Sequence, residues 1–340
     1  MISDGTINFQ NTRPSLPTVS VIIPTFNRAE FICSAIKSVL KQTYSDFELI
    51  VVDDGSTDDT GLRVRQLNDS RLKYIWQPNH GRSHARNRAI LEAKGSFIAF
   101  LDSDDLYLPE KLALQVDYFN QHPEVSMIYT SAYCINEAGN RLPETYEATV
   151  SGHIYQDIAF FRPVTITLPT VMVRRKVLDE AGGFDEAMDR FEDTDMWRRI
   201  SKLTPIYGMK HKTCELRTHS DNRLENQNPG KINQSLIYYA KKIYAEDTFL
   251  PSIRRRQRLG SLFMYYAKAF STVPSWTEHS RRLLFLSIKY WPVGVFEFLL
   301  FKIKGPISSI AISALYITLY TSYVLYSRTR DAFHEFFRQK

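Results

Sequence analysis

Between Val19 and about Tyr133, short apolar runs of strand length alternate with stretches in which apolar residues recur at helical spacing. The runs cover residues 19–23, 47–52, 72–76 and 97–101, each bounded by Asp, Gly, Pro or Asn. In the first interval Phe31, Ile32, Ala35, Ile36, Val39 and Leu40 share one helical face, with Lys37 and Lys41 turned from it toward water. Strands that alternate with helices in this way predict βαβ units around a mostly parallel sheet, an α/β fold. Further helices are expected over residues 109–119 and 194–203. From Asn228 the pattern becomes helical, with amphipathic candidates at 238–244, 259–270 and 281–290, separated by Pro251, Pro274 and Pro292. No internal repeat is visible. The expected organisation is a loose leader over 1–18, an α/β domain over 19–227 and a helical tail over 228–340.

Charge sharpens this division. The 340 residues carry a net charge of +6, but residues 228–340 hold 17 Lys or Arg against 6 Asp or Glu, so the tail is +11 and the remainder −5. A basic surface confined to the tail suits an anionic membrane or a phosphate-bearing acceptor, and a solvated helical face is the alternative; nucleic acid is not the expected partner. Residues 307–326 contain no charge and are flanked by Lys302 and Lys304 before and Arg328 and Arg330 after. Twenty residues are long enough to span a bilayer. Yet Ser309, Ser313, Tyr316, Tyr320 and Tyr323 recur at helical spacing, which favours an interfacial helix or one packed on its neighbours. Cys33, Cys134 and Cys214 form no CxxC pair, so neither a disulfide framework nor a zinc site is suggested. Residues 1–18 lack the apolar stretch of a secretory signal. The expected location is the cytoplasm, peripheral to the membrane.

Open parallel sheets bind ligands beyond the carboxyl ends of their strands. Here those positions are polar and acidic: Pro24-Thr25-Phe26-Asn27 after the first strand, Asp53-Asp54-Gly55-Ser56-Thr57-Asp58 after the second and Asp102-Ser103-Asp104-Asp105 after the fourth. Carboxylates on a tight turn are hard ligands suited to Mg²⁺ or Mn²⁺, an ion usually completed by substrate phosphates and water. The competing reading of Asp105 is an acidic residue one turn before a helix. Residues 53–58 also suit plain turn chemistry, with Gly55 at positive φ and Ser56 or Asp58 capping the next helix. A strand-terminal Asp54 is equally suited to accept the N–H of a pyrimidine ring, with the Pro24 carbonyl alongside.

These segments, with Gly81 through Ala85-Arg86-Asn87, Gly182-Gly183-Phe184-Asp185-Glu186 and Glu192-Asp193-Thr194-Asp195-Met196-Trp197, resemble in spacing and order the blocks of the family 2 glycosyltransferases of the GT-A fold. The resemblance covers residues 19–200 and implies an inverting transfer from a nucleotide diphosphate sugar, UDP-linked, to an acceptor hydroxyl of a glycan or lipid-linked saccharide in cell-surface polysaccharide biosynthesis. It implies that Pro24 and Asp54 hold the nucleobase, Arg86 lies near the nucleotide, Asp102 contacts ribose or metal, Asp104 binds Mn²⁺ or Mg²⁺ and Asp193 is the catalytic base. An acceptor hydroxyl of pKa ~16 needs such a base as the new bond forms. The alternative reading of Asp193 is an N-cap. Leu216-Arg217-Thr218-His219 resembles a segment with a metal- or diphosphate-proximal histidine, which makes His219 a candidate third ligand. A nucleotidyltransferase would show a glycine-rich basic loop after its first strand, which Pro24-Thr25-Phe26-Asn27-Arg28 lacks. Asp193 and the Asp-x-Asp together argue against a non-catalytic sugar-nucleotide binding module. The Gln-x-x-Arg-Trp block of processive synthases is missing, so transfer of a single sugar is expected.

Overall fold

A computed structural model of the chain describes residues 16–160, 166–219 and 226–291. The expected leader, apart from its last three residues, and the uncharged stretch 307–326 lie outside them. By internal contacts the chain divides into two units, residues 1–220 and 221–340.

In the first unit the described strands are, in chain order, β1 (Val19–Thr25), β2 (Phe47–Asp53), β3 (Leu72–Trp76), β4 (Phe97–Phe100), β5 (Leu106–Tyr107), β6 (Met127–Ile135), β7 (Arg141–Tyr146), β8 (Met172–Arg174) and β9 (Ile206–Arg217). They form one sheet in the order β3-β2-β1-β4-β8-β6-β9-β5, with β7 beside β6. β1 to β4 are mutually parallel where they pair, and β8 joins β4 to β6 antiparallel to both. The helices are α1 (Ile32–Leu40), α2 (Thr60–Arg65), α3 (Arg82–Glu92), α4 (Lys111–Gln121), α5 (Tyr155–Ala159), α6 (Arg175–Ala181) and α7 (Glu192–Leu203).

Side chains alternate along a strand, so each central strand feeds two cores. Ile22, Ile50, Val52, Ile98 and Phe100 pack with Ala85 and Ala89 of α3, Val177 and Leu178 of α6, and Met196 and Trp197 of α7. Val21, Ile23, Leu49, Val51 and Ala99 pack on the other side with Ile32, Ile36 and Val39 of α1 and Leu112, Val116 and Phe119 of α4. With both faces covered, these strands read as continuous apolar runs rather than alternating ones.

β1 runs two residues past its expected end, through Pro24 and Thr25. Ile22 accepts the Leu101 amide, so even-numbered residues of β1 face β4, and β4 pairs no further than Ile22. The N–H that Pro24 lacks therefore leaves no ladder bond open, while Pro24 and Thr25 keep their register opposite Val52 and Asp53.

α7 is held by charge as well as packing. Asp195, fully buried, takes Arg198 Nη2 at 2.8 Å and Arg199 Nε at 2.8 Å. Arg199 in turn donates to the carbonyls of Ala181 and Gly183, which fastens the helix to the turn after α6.

The second unit contains α8 (Pro229–Glu246), α9 (Ser252–Phe270) and α10 (Thr277–Tyr290). The Asn228 side chain caps α8 by accepting the Lys231 amide at 3.1 Å. Arg254, Arg255, Arg256 and Arg258 in the first turns of α9 do not form one solvated face: Arg255 donates to the Tyr244 carbonyl and covers the Tyr244 ring, while Arg254 is exposed.

Replacing Asp195 by Ala removes the buried carboxylate that Arg198 and Arg199 share, and a loss of about 3–5 kcal/mol is expected in urea unfolding. A folded variant within 1 kcal/mol of the parent would show that Arg198 finds another partner.

Candidate active site

The loops after β1 and β2 are stitched to each other before either meets a ligand. The Asn27 amide donates to Ser56 Oγ at 2.9 Å, the Thr57 amide to Asn27 Oδ1 at 2.8 Å, and the Arg28 amide to Thr60 Oγ1 at 2.9 Å. Asp58 accepts the Ala29 and Thr60 amides in a local turn, while the N-cap of α2 is Asp59, without a side-chain cap, rather than Ser56 or Asp58. Gly55 sits at φ +81°. Turn chemistry thus accounts for much of residues 53–58.

Asp53 and Asp54 are buried and already bonded. Asp53 accepts Tyr74 Oη at 2.7 Å and the Ser56 amide at 2.8 Å. Asp54 accepts Gln77 Nε2 at 2.7 Å and the amides of His80 and Gly81 at 2.9 and 2.8 Å. Its carboxylate thereby holds the turn from β3 into α3, and its own amide donates to the Thr25 carbonyl at 2.8 Å, next to Pro24. Pro24 and Asp54 are brought together as the resemblance implies, with most of the Asp54 acceptor capacity spent on the protein.

Arg86 projects from α3 with 3% of its surface exposed. One guanidinium nitrogen meets Glu192 Oε1 at 2.8 Å, another meets Asp102 Oδ1 at 3.0 Å, and the carbon lies 5.4 Å from the centre of the Phe184 ring. Burial opposes its charge, but Asp102, Glu192 and Asp193 outweigh burial and raise its proton affinity. Neighbouring Asn87 exchanges three hydrogen bonds with the Phe184 backbone and Glu186. Gly183 makes that approach possible: it sits at φ +75°, and a Cβ there would lie 3.0 Å from Asn87 Oδ1.

Beyond β4, three carboxylates have different surroundings. Asp105 Oδ1 accepts the Arg217 amide at 2.7 Å, so it anchors the turn to β9 and caps no helix. Burial first, then Asp104 and Asp102, hold its proton affinity well above the ordinary range. Asp102 is raised by burial too, with Arg86 pulling down and Asp104 pushing up. Asp104 Oδ2 lies 3.1 Å from His219 Nε2 and 3.8 Å from Arg28 Nε. His219 is buried and packs on the Phe31 ring at 4.9 Å. A carboxylate oxygen and an imidazole nitrogen so placed fit Mn²⁺ or Mg²⁺, with remaining positions left to diphosphate and water. Among the described residues no group of three or more His, Cys, Asp or Glu is arranged to hold a metal, so these two side chains would leave most of a shell to other ligands.

Asp193 is the second residue of α7. Its Oδ1 accepts the Thr194 amide at 2.6 Å, and Phe191, at φ 66°, occupies the cap position. Burial and the adjacent Glu192 carboxylate, opposed by Arg86, push it up to about 6. Trp197, one turn on, is buried edge-on to Phe184 and tilted against Phe100.

The model of the glycosyl transferase family 2 matches residues 20–182. That stretch belongs to family 2. The chain is 31% identical over 244 residues to chondroitin synthase of Escherichia coli, covering 68% of this chain and 34% of that protein. It is 42% identical over 119 residues to the Escherichia coli UDP-Glc:alpha-D-GlcNAc-diphosphoundecaprenol beta-1,3-glucosyltransferase WfgD, covering 35% and 47%. The chain thus spans about a third and about a half of these two curated relatives. The crystal structure of Staphylococcus aureus TarS 1-349 superposes with a TM-score of 0.60 over 82% of each chain at 22% identity, and TarS has also been crystallised with UDP-GlcNAc. The fold is GT-A. Residues of the family 2 stretch also reach past its end, as Asn87 meets Phe184, Arg86 meets Glu192 and Asp104 meets His219.

Two residues of the site were not singled out in the sequence. Glu192 was quoted only as the neighbour of Asp193, and Arg28 only for the glycines its loop lacks. Both are charged residues inside blocks already picked out, which is the one local signal they carried.

Asp54→Ala should leave the His80 and Gly81 amides without acceptors and speed their hydrogen exchange by ~10-fold or more. Parent-like protection at both would mean the turn holds without the carboxylate.

Proposed function

We propose that this chain is an inverting, metal-dependent glycosyltransferase that moves one sugar from a UDP-linked donor to a hydroxyl of a glycan or lipid-linked saccharide in cell-surface polysaccharide assembly. The observation that carries this reading is the Asp102–Arg86–Glu192 chain, in which a buried Arg86 joins the partly exposed Asp102 to the buried Glu192. It ties the strand end bearing the acidic turn to the first turn of the helix bearing Asp193, so a donor held at one has its reacting sugar beside the other. The WfgD name pairs UDP-Glc with a diphosphoundecaprenol acceptor, which supports the UDP and lipid-linked assignments, and TarS holds UDP-GlcNAc, which agrees with the UDP one.

Asp193, at a pKa of about 6, is ionised at neutral pH and takes the proton from the acceptor hydroxyl as it attacks the anomeric carbon. Attack from the face opposite the leaving diphosphate inverts that centre. Pro24 and the remaining Asp54 lone pair receive the nucleobase, and Asp102 the ribose. Arg86 lends positive charge near the diphosphate, and Asp104 with His219 would hold Mn²⁺ or Mg²⁺, which supplies charge neutralisation to the departing anion.

The basic helical region approaches an anionic membrane surface where lipid-linked acceptors reside. Arg254, Arg258, Tyr265 and Lys268 recur at helical spacing along one side of α9, as do Arg281, Phe285 and Ile288, with Lys289 beside them, along α10; Phe285 is 66% exposed. Such mixed basic and aromatic faces suit a headgroup region. No helix among the described residues is long and apolar enough to cross a membrane.

Purified protein offered a panel of sugar nucleotides should release UDP with one of them. Asp193→Asn should keep UDP affinity while turnover falls ~10² or more. In the parent, log kcat/KM should fall below about pH 6, because protonated Asp193 cannot accept a proton, and that acid limb should vanish in the variant. Near-normal turnover by a folded Asp193→Asn protein would sink the base assignment.

Vesicles rich in anionic lipid should retain the protein at low salt and release most of it at 0.5 M salt. Indifference to such vesicles would turn the basic faces into plain solvated surface.

A further inference from the structure

Asp104 Oδ2 is shared. His219 Nε2 approaches it at 3.1 Å and Arg28 Nε at 3.8 Å, from the end of β9 and from the loop after β1. The two neighbours differ in freedom. His219 is buried against Phe31, whereas the Arg28 side chain is 39% exposed. The Arg28 backbone is pinned, since its amide donates to Thr60 Oγ1 at 2.9 Å within the stitched pair of loops. Its side chain is the part left to turn, with Nη1 3.5 Å from the Asn27 carbonyl as its other polar contact among the described residues.

Under the reading above, Asp104 and His219 give their facing atoms to a divalent cation. Arg28 then stands beside a carboxylate whose charge is already neutralised, and its own attraction to that oxygen falls. A diphosphate on the same cation brings fresh negative charge to this place, and a guanidinium matches phosphate oxygens in two-point fashion. We propose that Arg28 is an exchange residue: it neutralises Asp104 while the site is empty and pairs with the donor diphosphate once Asp104 turns to a cation. The proposal rests on the transferase reading and adds a residue that reads phosphate.

The consequence has two opposite signs. Before the donor arrives, Arg28 competes with the cation for Asp104, so free metal binds weakly. With the donor present it adds to affinity, so cation and nucleotide enter together.

The test uses the full chain, with Mn²⁺ alone followed by the paramagnetic resonance of the free ion, and with UDP and uridine followed by calorimetry in Mn²⁺ and in EDTA. Arg28→Ala should bind Mn²⁺ alone about twofold to fivefold more tightly, bind UDP with Mn²⁺ about tenfold more weakly, and bind uridine as the parent does. Arg28→Lys, which keeps a point charge without the fork, should fall between. UDP affinity in EDTA should also drop in Arg28→Ala, since the arginine then faces the phosphates without a cation. Unchanged UDP affinity, weaker Mn²⁺ binding, or an equal loss of uridine and UDP would each overturn the exchange role. A parent protein that binds neither UDP nor any other nucleotide would overturn the transferase reading itself, and this proposal with it.

Discussion

The site depends on one buried guanidinium. An arginine almost without exposed surface is tolerated only when its charge is matched, because moving an ion out of water costs several kcal/mol that pairing must offset. Arg86 is matched twice, by Glu192 at 2.8 Å and Asp102 at 3.0 Å. Those partners come from α7 and the end of β4, so α3 cannot take its place in the core without drawing both to itself. The face of Phe184 completes the enclosure, and Asn87 on the same helix holds the Phe184 backbone. Charge satisfaction therefore fixes where the acidic turn and the first turn of α7 stand relative to each other.

The same electrostatics sets different conditions for neighbouring carboxylates. Asp195 is buried but flanked by two arginines and serves structure. Asp193, two residues earlier, has burial, Glu192 and Asp102 against its charge and Arg86 with the Thr194 amide for it, and its pKa rises to about 6. Asp105 spends an oxygen on the Arg217 amide, while Asp104 points to His219 and to a partly exposed arginine. Carboxylates near the sheet edge thus divide into those committed to the fold, Asp53, Asp105 and Asp195, those tying the site together, Glu192 and Asp102, and those that the proposed function assigns to ligands, Asp104 and Asp193. Asp54 stands between these roles, with three acceptor positions used and its place beside Pro24 kept.

The turn after β2 illustrates how support and binding share residues. Asn27 bonds to Ser56 and Thr57 across two loops, so the backbone that carries Pro24 and Arg28 is held by the protein's own hydrogen bonds. Placement of this kind lowers the ordering cost of binding.

The four parallel strands, the faces of α1 and the acidic residues at the strand ends were legible in the sequence, because local hydrophobic period and turn residues report burial directly. The positions of β1, β2, β3 and β4 depend on runs that are apolar on both faces, and such runs are visible without partners. β5 to β9 were not named, since a two-residue strand such as β5, a three-residue one such as β8, and the register-shifted β9 carry little period of their own and exist through their neighbours. Likewise, the sequence determined that Asp53, Asp54, Asp102, Asp104, Asp105 and Asp193 are present near turns, but not which would be spent. Only the tertiary structure decided that Asp105 meets β9 from 112 residues away and that Arg86 meets Glu192 from 106. Hydrogen bonds and charge pairs form between groups that the folded backbone brings within about 3 Å, and that distance has no counterpart in spacing along the chain.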